Sequence, residues 1–167
     1  EMFLDSASLR PSIVSHAKTL GYIPTSARAA KATVDVTLNT NSASLTMPAG
    51  TVFNTTVNDV SYQFSTITDV TKSNTGNSIP FVGTDIYEGS FITTRYTVDS
   101  SDVDQRFLLT DNRADTSTLI VKIQTSSSDS TTNTFTEATD ITQVTTGSNV
   151  YFLQEVEAGL FEVYFGD

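Results

Sequence analysis

The 167-residue chain carries nine Lys and Arg against nineteen Asp and Glu, a formal net charge of −10, and no cysteine. Disulfides and thiolate metal sites are therefore excluded, and the acidic balance argues against nucleic acid, whose phosphates call for basic side chains, and against anionic membrane surfaces. No apolar run approaches the roughly 20 residues of a membrane helix, and 10% aromatics with many β-branched residues suit a sheet surface better than a disordered chain.

The first stretch, SASLRPSIVSHAKTLGY, predicts a helix, with Leu9, Ile13, Val14, Ala17 and Leu20 recurring at helical spacing. Ser8 is the expected N-cap, which puts Pro11 in the first turn where its missing N–H costs nothing. Gly21 fits the left-handed position after the helix, and Pro24 blocks continuation. His16, the only histidine, lies near the helix end. On a helix, with no G-x-S-x-G present, it reads as a charge suited to the dipole rather than as a triad member. The apolar face of this helix, with Met2, Phe3 and Leu4, is expected to dock on its own β region or on a second copy.

From ATVDVTL onward the period changes from 3.6 to 2, with Val34, Val36 and Leu38 on one face. LTMPAGTVF gives a strand, a tight turn at Pro48, Ala49, Gly50 and Thr51, and a strand resuming at Phe53. DVSYQFSTI alternates with Val60, Tyr62 and Phe64 inward. TKSNTGNSIP reads as a loop. DIYEGSFITTRYTV is expected to be a strand with Ile92, Tyr96 and Val98 on one face and a bend or bulge at Gly89. After a break at DSSDVDQ, five further strands are predicted in RFLLTD, STLIVKIQT, TFTEATDITQV, NVYFLQEV and LFEVYF. SSSDSTTN is a polar hairpin tip, and Gly159 supplies the positive φ of a tight hairpin.

This pattern predicts a mainly β protein, α+β by content, with a short N-terminal helix followed by antiparallel sheets. The expected organisation is an opening helical segment over 1–25, a first antiparallel β region over 26–100, and a smaller second one over 101–167, separate from the first or continuous with it. No internal repeat of fixed period is visible. Phe161, Val163 and Phe165 alternate with Glu162 and Tyr164 in the last strand, and Gly166 and Asp167 are turn residues. The chain is expected to be a segment of a longer polypeptide, because a turn leads somewhere and EMFLD reads as a helix already under way.

Residue type alone allows three further chemistries. Asp99, Asp102, Asp104, Asp111 and Asp115 gather acidic oxygens, but without EF-hand spacing they read as loops that keep strand edges soluble. Carboxylates for a glycosidase pair are too abundant to single out two. Tyr87, Tyr96 and Tyr151 are candidates to line a sugar-binding face, although strand tyrosines more often pack half-buried. Asn54-Thr55-Thr56 is a formal glycosylation sequon of the kind an Asn/Thr-rich chain shows by chance.

Several stretches taken in order resemble one family. LRPSIVSHAKTLGYIPTSARAAKATVDV is followed by MPAGTVF, YQFST and YEG, then by RFLLTDNRADTSTLIVKIQ and the closing FEVYFGD. This set, which covers nearly the whole chain, resembles the baseplate J-like proteins, above all the baseplate wedge subunit of large contractile-tailed phages. In that family FGD is normally followed by another glycine and further β structure, and flanking helices join neighbouring subunits.

The resemblance implies a structural role in the virion, in the tail baseplate assembled in the host bacterial cytoplasm. Its implied partners are other copies of the chain and neighbouring wedge proteins. No nucleic acid, membrane, small-molecule substrate, metal, cofactor or catalysis is implied. It also implies architectural roles for particular residues. Gly21, Tyr22 and Pro24 would end the helix and aim the chain into the sheet. Pro48 to Thr51 would form the turn before Phe53. Phe165, Gly166 and Asp167 would close a strand and turn the backbone. The alternatives from other classes are a carbohydrate-binding or adhesin-type β-sandwich module and a carboxylate-based glycosidase.

Overall fold

The computed structural model describes residues 4–22, 24–102, 104–140, 142, 144–157 and 159–165. The protein is mainly β, with one short helix, as its alternating pattern predicts. It divides into two compact units, Ala29–Thr93 and Glu1–Arg28 with Thr94–Asp167.

The unit Ala29–Thr93 holds six strands: β1 (Lys31–Asn39), β2 (Ser44–Met47), β3 (Val52–Val57), β4 (Val60–Ser65), β5 (Val70–Ser73) and β6 (Ser78–Glu88). They form a four-stranded sheet in the order β1-β6-β4-β3 and a two-stranded sheet of β2 and β5, every pair antiparallel. Met47, Ile79 and Phe81 make the buried centre, with Val36, Leu45, Phe53 and Val70 packed against it. Both sheets thus contribute one face to the same core.

Strand β6 departs from the sequence reading. TKSNTGNSIP is not a single loop: β5 takes its first residues and β6 begins at Ser78. The partner of Val34 is Thr84 but that of Val36 is Phe81, so β6 holds one extra residue opposite Asp35. Gly83 sits in this bulge at φ 70°, and its N–H donates to the Asp35 carboxylate at 2.7 Å. The bulge moves the inward positions from Ile79 and Phe81 to Thr84 and Ile86, all four buried. Strand β6 ends at Glu88, so Ile92, Tyr96 and Val98 lie in unpaired chain and are exposed. Leu38, on the edge strand β1, and Val60, next to the Asn58–Asp59 turn, are also exposed.

The other unit holds helix α1 (Arg10–Thr19), a 3-10 turn at Leu4–Ser6, another at Thr116–Thr118, and strands β7 (Phe107–Leu108), β8 (Val121–Ser126), β9 (Asp129–Glu137), β10 (Val150–Glu157) and β11 (Leu160–Tyr164). The sheet order is β7-β11-β10-β9-β8. Its pairs are antiparallel except β9 and β10, which run parallel through Thr136 with Val150 and Glu137 with Tyr151. The purely antiparallel expectation fails at this junction because a connection of about a dozen residues, long enough for a parallel return, separates the two strands. Strand β9 occupies the stretch expected to be a hairpin tip, and the turn shrinks to Ser127 and Ser128.

Helix α1 starts one residue later than expected, with Leu9 rather than Ser8 at the N-cap and Pro11 in the first turn. At its other end Gly21 adopts φ 79°, its N–H reaching the Lys18 carbonyl while the Tyr22 N–H reaches that of Ala17. This is a Schellman ending. None of the helix residues is buried; Val14 and Ala17 are half-covered, whereas Leu9, Ile13 and Leu20 stand in solvent. The apolar stripe therefore does not form a core face.

Candidate functional site

The helix is held to the sheet by charge. The Arg10 guanidinium donates from Nε and Nη2 to both Glu155 oxygens, at 2.7 and 3.0 Å. Lys18 Nζ donates to the Glu155 carbonyl at 3.0 Å, and the Gly159 N–H donates to the Glu155 carboxylate at 3.0 Å. The Glu155 side chain is 3% exposed. A carboxylate this buried needs partners for its charge, and helix and hairpin supply them together. The hydrogen bonds and then the charge of Glu155 raise the Arg10 pKa above its ordinary value.

Glu162 on β11 repeats the arrangement. Arg106 donates to its two oxygens at 2.8 Å each, and Gln154 Nε2 adds a third contact at 3.4 Å. The bonds from Arg106 hold Glu162 below the usual carboxylate range despite its burial, with Gln154 and the Arg106 charge acting in the same direction. Gln154 pairs with Glu162 and Glu155 with Phe161 across the ladder. Opposed residues share a face and neighbours alternate, so the two buried carboxylates point to opposite faces of the β10–β11 ladder.

On the Glu155 face, Tyr151, Phe161 and Val163 are buried. Burial, followed by the negative charge of Glu137, raises the Tyr151 pKa. Phe165 links two neighbours edge-to-face, Phe107 at 5.9 Å and Phe135 at 5.7 Å, and Tyr96 extends the row to Phe107 at 5.6 Å. On the Glu162 face, Phe152 and Tyr164 stack at 5.3 Å.

A cleft of about 190 Å³ lies beside the helix end, lined by Lys18, Gly21, Tyr22, Pro24, Leu153, Gln154 and Glu155. Gly21, Tyr22 and Pro24, picked out in the sequence as a helix ending, thus form one wall of it. The Tyr22 ring is largely exposed, as is Leu20.

The Pro48–Thr51 turn lies in the other unit. Gly50 at φ 81° and the Thr51 N–H bond to the Pro48 carbonyl at 3.2 Å fit a type II turn. Thr66, buried, donates its hydroxyl to the same carbonyl at 2.8 Å, and Asp69 accepts the Ala49 N–H at 2.8 Å. Phe91 packs 3.5 Å from where a Gly50 Cβ would stand. Phe53 follows and packs on the core. Gly89, at φ 112°, ends β6 and donates its N–H to the Gln63 carbonyl at 2.8 Å. Gly159, at φ 86°, turns between β10 and β11. Gly166 and Asp167 lie outside the described residues, as do Met2 and Phe3.

The acidic stretch is used locally. Asp99 accepts the Ser101 N–H and hydroxyl, Asp111 pairs with Arg113, and Asp115 caps the turn at Thr116–Thr118. Among the described residues no three His, Asp or Glu groups are arranged to hold a metal ion. Of the three tyrosines, Tyr151 is buried, the Tyr96 hydroxyl donates to the Leu108 carbonyl, and Tyr87, in the other unit, lies under Lys31. The Arg10–Glu155 and Arg106–Glu162 pairs escaped the sequence reading, because their members lie 145 and 56 residues apart and no local spacing joins them.

Compared with known proteins, the chain matches no protein-family model and no curated protein sequence.

Proposed function

We propose that this chain is a scaffold segment of a baseplate wedge subunit in a contractile phage tail, joining copies of itself and neighbouring wedge proteins without catalysis. The ordered set of stretches from LGY-x-P to FEVYFGD is what brings that family to the chain. The observation that carries the scaffold reading is the division of labour on α1. Its charges, Arg10 and Lys18, are spent on Glu155 inside the fold, whereas Leu9, Ile13 and Leu20 face outward with Tyr22 just beyond. Exposed apolar side chains on an element locked in place by buried polar bonds suit a surface that meets other subunits. The buried carboxylates, each clasped by a guanidinium and turned to opposite faces, serve architecture in this reading.

On this proposal the protein resides in the virion, at the tail baseplate, after assembly in the bacterial cytoplasm. Immunogold labelling of purified tails with antibody to this chain tests it. Gold confined to the baseplate end is expected; tails that carry no label, with the chain recovered elsewhere, would refute the reading.

A further inference from the structure

The four-stranded sheet ends in β1 on one side and β3 on the other. The β1 edge is guarded: it carries Lys31 and Asp35 and faces the bulge in β6. The β3 edge, VFNTTV, has no charge, proline, glycine or register break over its six pairs with β4. Val52 and Val57 are about half exposed, at 49% and 52%.

Hairpin geometry fixes which backbone groups leave that edge. Asn58 and Asp59 turn the chain at φ 49° and 62°, a two-residue type I′ connection. The flanking pair Val57 and Val60 then exchanges both hydrogen bonds, and alternation turns Thr55 and Phe53 toward β4 as well. Thr51, in the same phase, does so observably: the Thr66 N–H donates to its carbonyl at 3.1 Å. The N–H and C=O groups of Val52, Asn54 and Thr56 therefore point off the sheet, and no other strand among the described residues pairs with β3.

We propose that this edge pairs with the β3 edge of a second copy, antiparallel, about a two-fold axis at Asn54. An antiparallel ladder keeps opposed side chains on one face, so a strand can pair with itself only about a residue. Centring on Asn54 sets Asn54 opposite Asn54 and Val52 opposite Thr56. The three outward residues then satisfy one another with about six hydrogen bonds. Phe53 falls opposite Thr55, a cross-strand pair that sheets favour. The second copy is the occupant chosen by register: the outward residues Val52, Asn54 and Thr56 are symmetric about Asn54, so an identical strand meets all three, and an edge without charge spares two molecules of net charge −10 a like-charge contact at the seam. The proposal stands on this edge and not on the baseplate reading.

Sedimentation of the 167-residue chain at about physiological ionic strength tests it. A weak dimer is expected, with a dissociation constant on the order of 100 µM. Asn54→Lys and Asn54→Asp each set like charges face to face at the axis, so each weakens the dimer by about fivefold. An equimolar mixture of the two restores association as a heterodimer. That rescue separates edge pairing from misfolding. A wild-type chain monomeric to about 1 mM, a dimer indifferent to both substitutions, or a mixture that stays monomeric would each overturn the proposal. None of these results bears on where antibody labels the tail.

Discussion

Arg10 and Glu155 meet in a two-point clasp, Nε to Oε1 at 2.7 Å and Nη2 to Oε2 at 3.0 Å, between the first turn of α1 and the middle of β10. Half of the Arg10 side chain faces solvent and almost none of the Glu155 side chain does, 52% against 3%. The pair is therefore asymmetric: losing the arginine strands a buried charge, whereas losing both removes the problem.

Arg10→Met is accordingly expected to destabilise the Glu155 unit by about 2 kcal/mol, discounted for the exposure of the arginine. The double variant Arg10→Met with Glu155→Leu should recover most of that loss. Urea unfolding of the four members of the cycle measures the coupling. Equal losses for the single and double variants would contradict the asymmetry.

Acid should act through Glu162. Its folded pKa is depressed by the bonds from Arg106, so the stability it contributes is present above the ordinary glutamate value and disappears as pH falls through the depressed one. Arg106→Ala should lower stability at neutral pH, and the gap to wild type should narrow below about pH 4 and close as pH passes the depressed Glu162 value. Urea midpoints across pH 7 to 3 read this directly.

Gly50→Ala should cost about 1 to 2 kcal/mol, since its φ of 81° disfavours any side chain and Phe91 stands against the new methyl group. Thr66→Val keeps the shape but removes one of the two hydroxyls on the Pro48 carbonyl, that of Thr51 remaining at 2.7 Å, and one of the two acceptors of the Thr51 N–H. About 1 kcal/mol is expected. Amide exchange should speed up across Pro48–Thr66 in both variants and leave β10 and β11 protected.

Phe165→Ala removes the ring that joins Phe107 to Phe135. Because the residue is only half-buried, a loss of about 2 to 3 kcal/mol is expected rather than the larger value of a fully buried ring. Near-ultraviolet dichroism, which in this tryptophan-free chain reports Tyr and Phe packing, should weaken along with the unfolding midpoint.

The β class, the one helix and most strands were legible because alternation and turn chemistry are local. Gly21 is the clearest case: a glycine after a helical run called for a left-handed ending, and the Schellman bonds are there. Strand β6 was hidden because its inward face changes parity at Gly83, so Ile79, Phe81 and Ile86 fit no single period. Pro80 is tolerated where β6 has only β1 beside it, paired through Thr37. The Ile92–Val98 stretch misled in the opposite sense, alternating without a partner strand. Of the site, the turn residues could be read and the glutamate clasps could not, since chain topology alone brings Arg10 to Glu155.

The stretch 29–93 contains every strand of its own unit, whereas α1 shares a unit with strands that begin beyond residue 94. During translation the inner stretch has all its partners in hand first. The helix emerges earlier still, yet waits for Glu155. At ribosomal speeds of about 5 to 20 residues per second that delay is on the order of 10 s. Throughout it Leu9, Ile13 and Leu20 are on offer to any chaperone or nascent neighbour, so a helix made before the strands it docks on finds its place only after them.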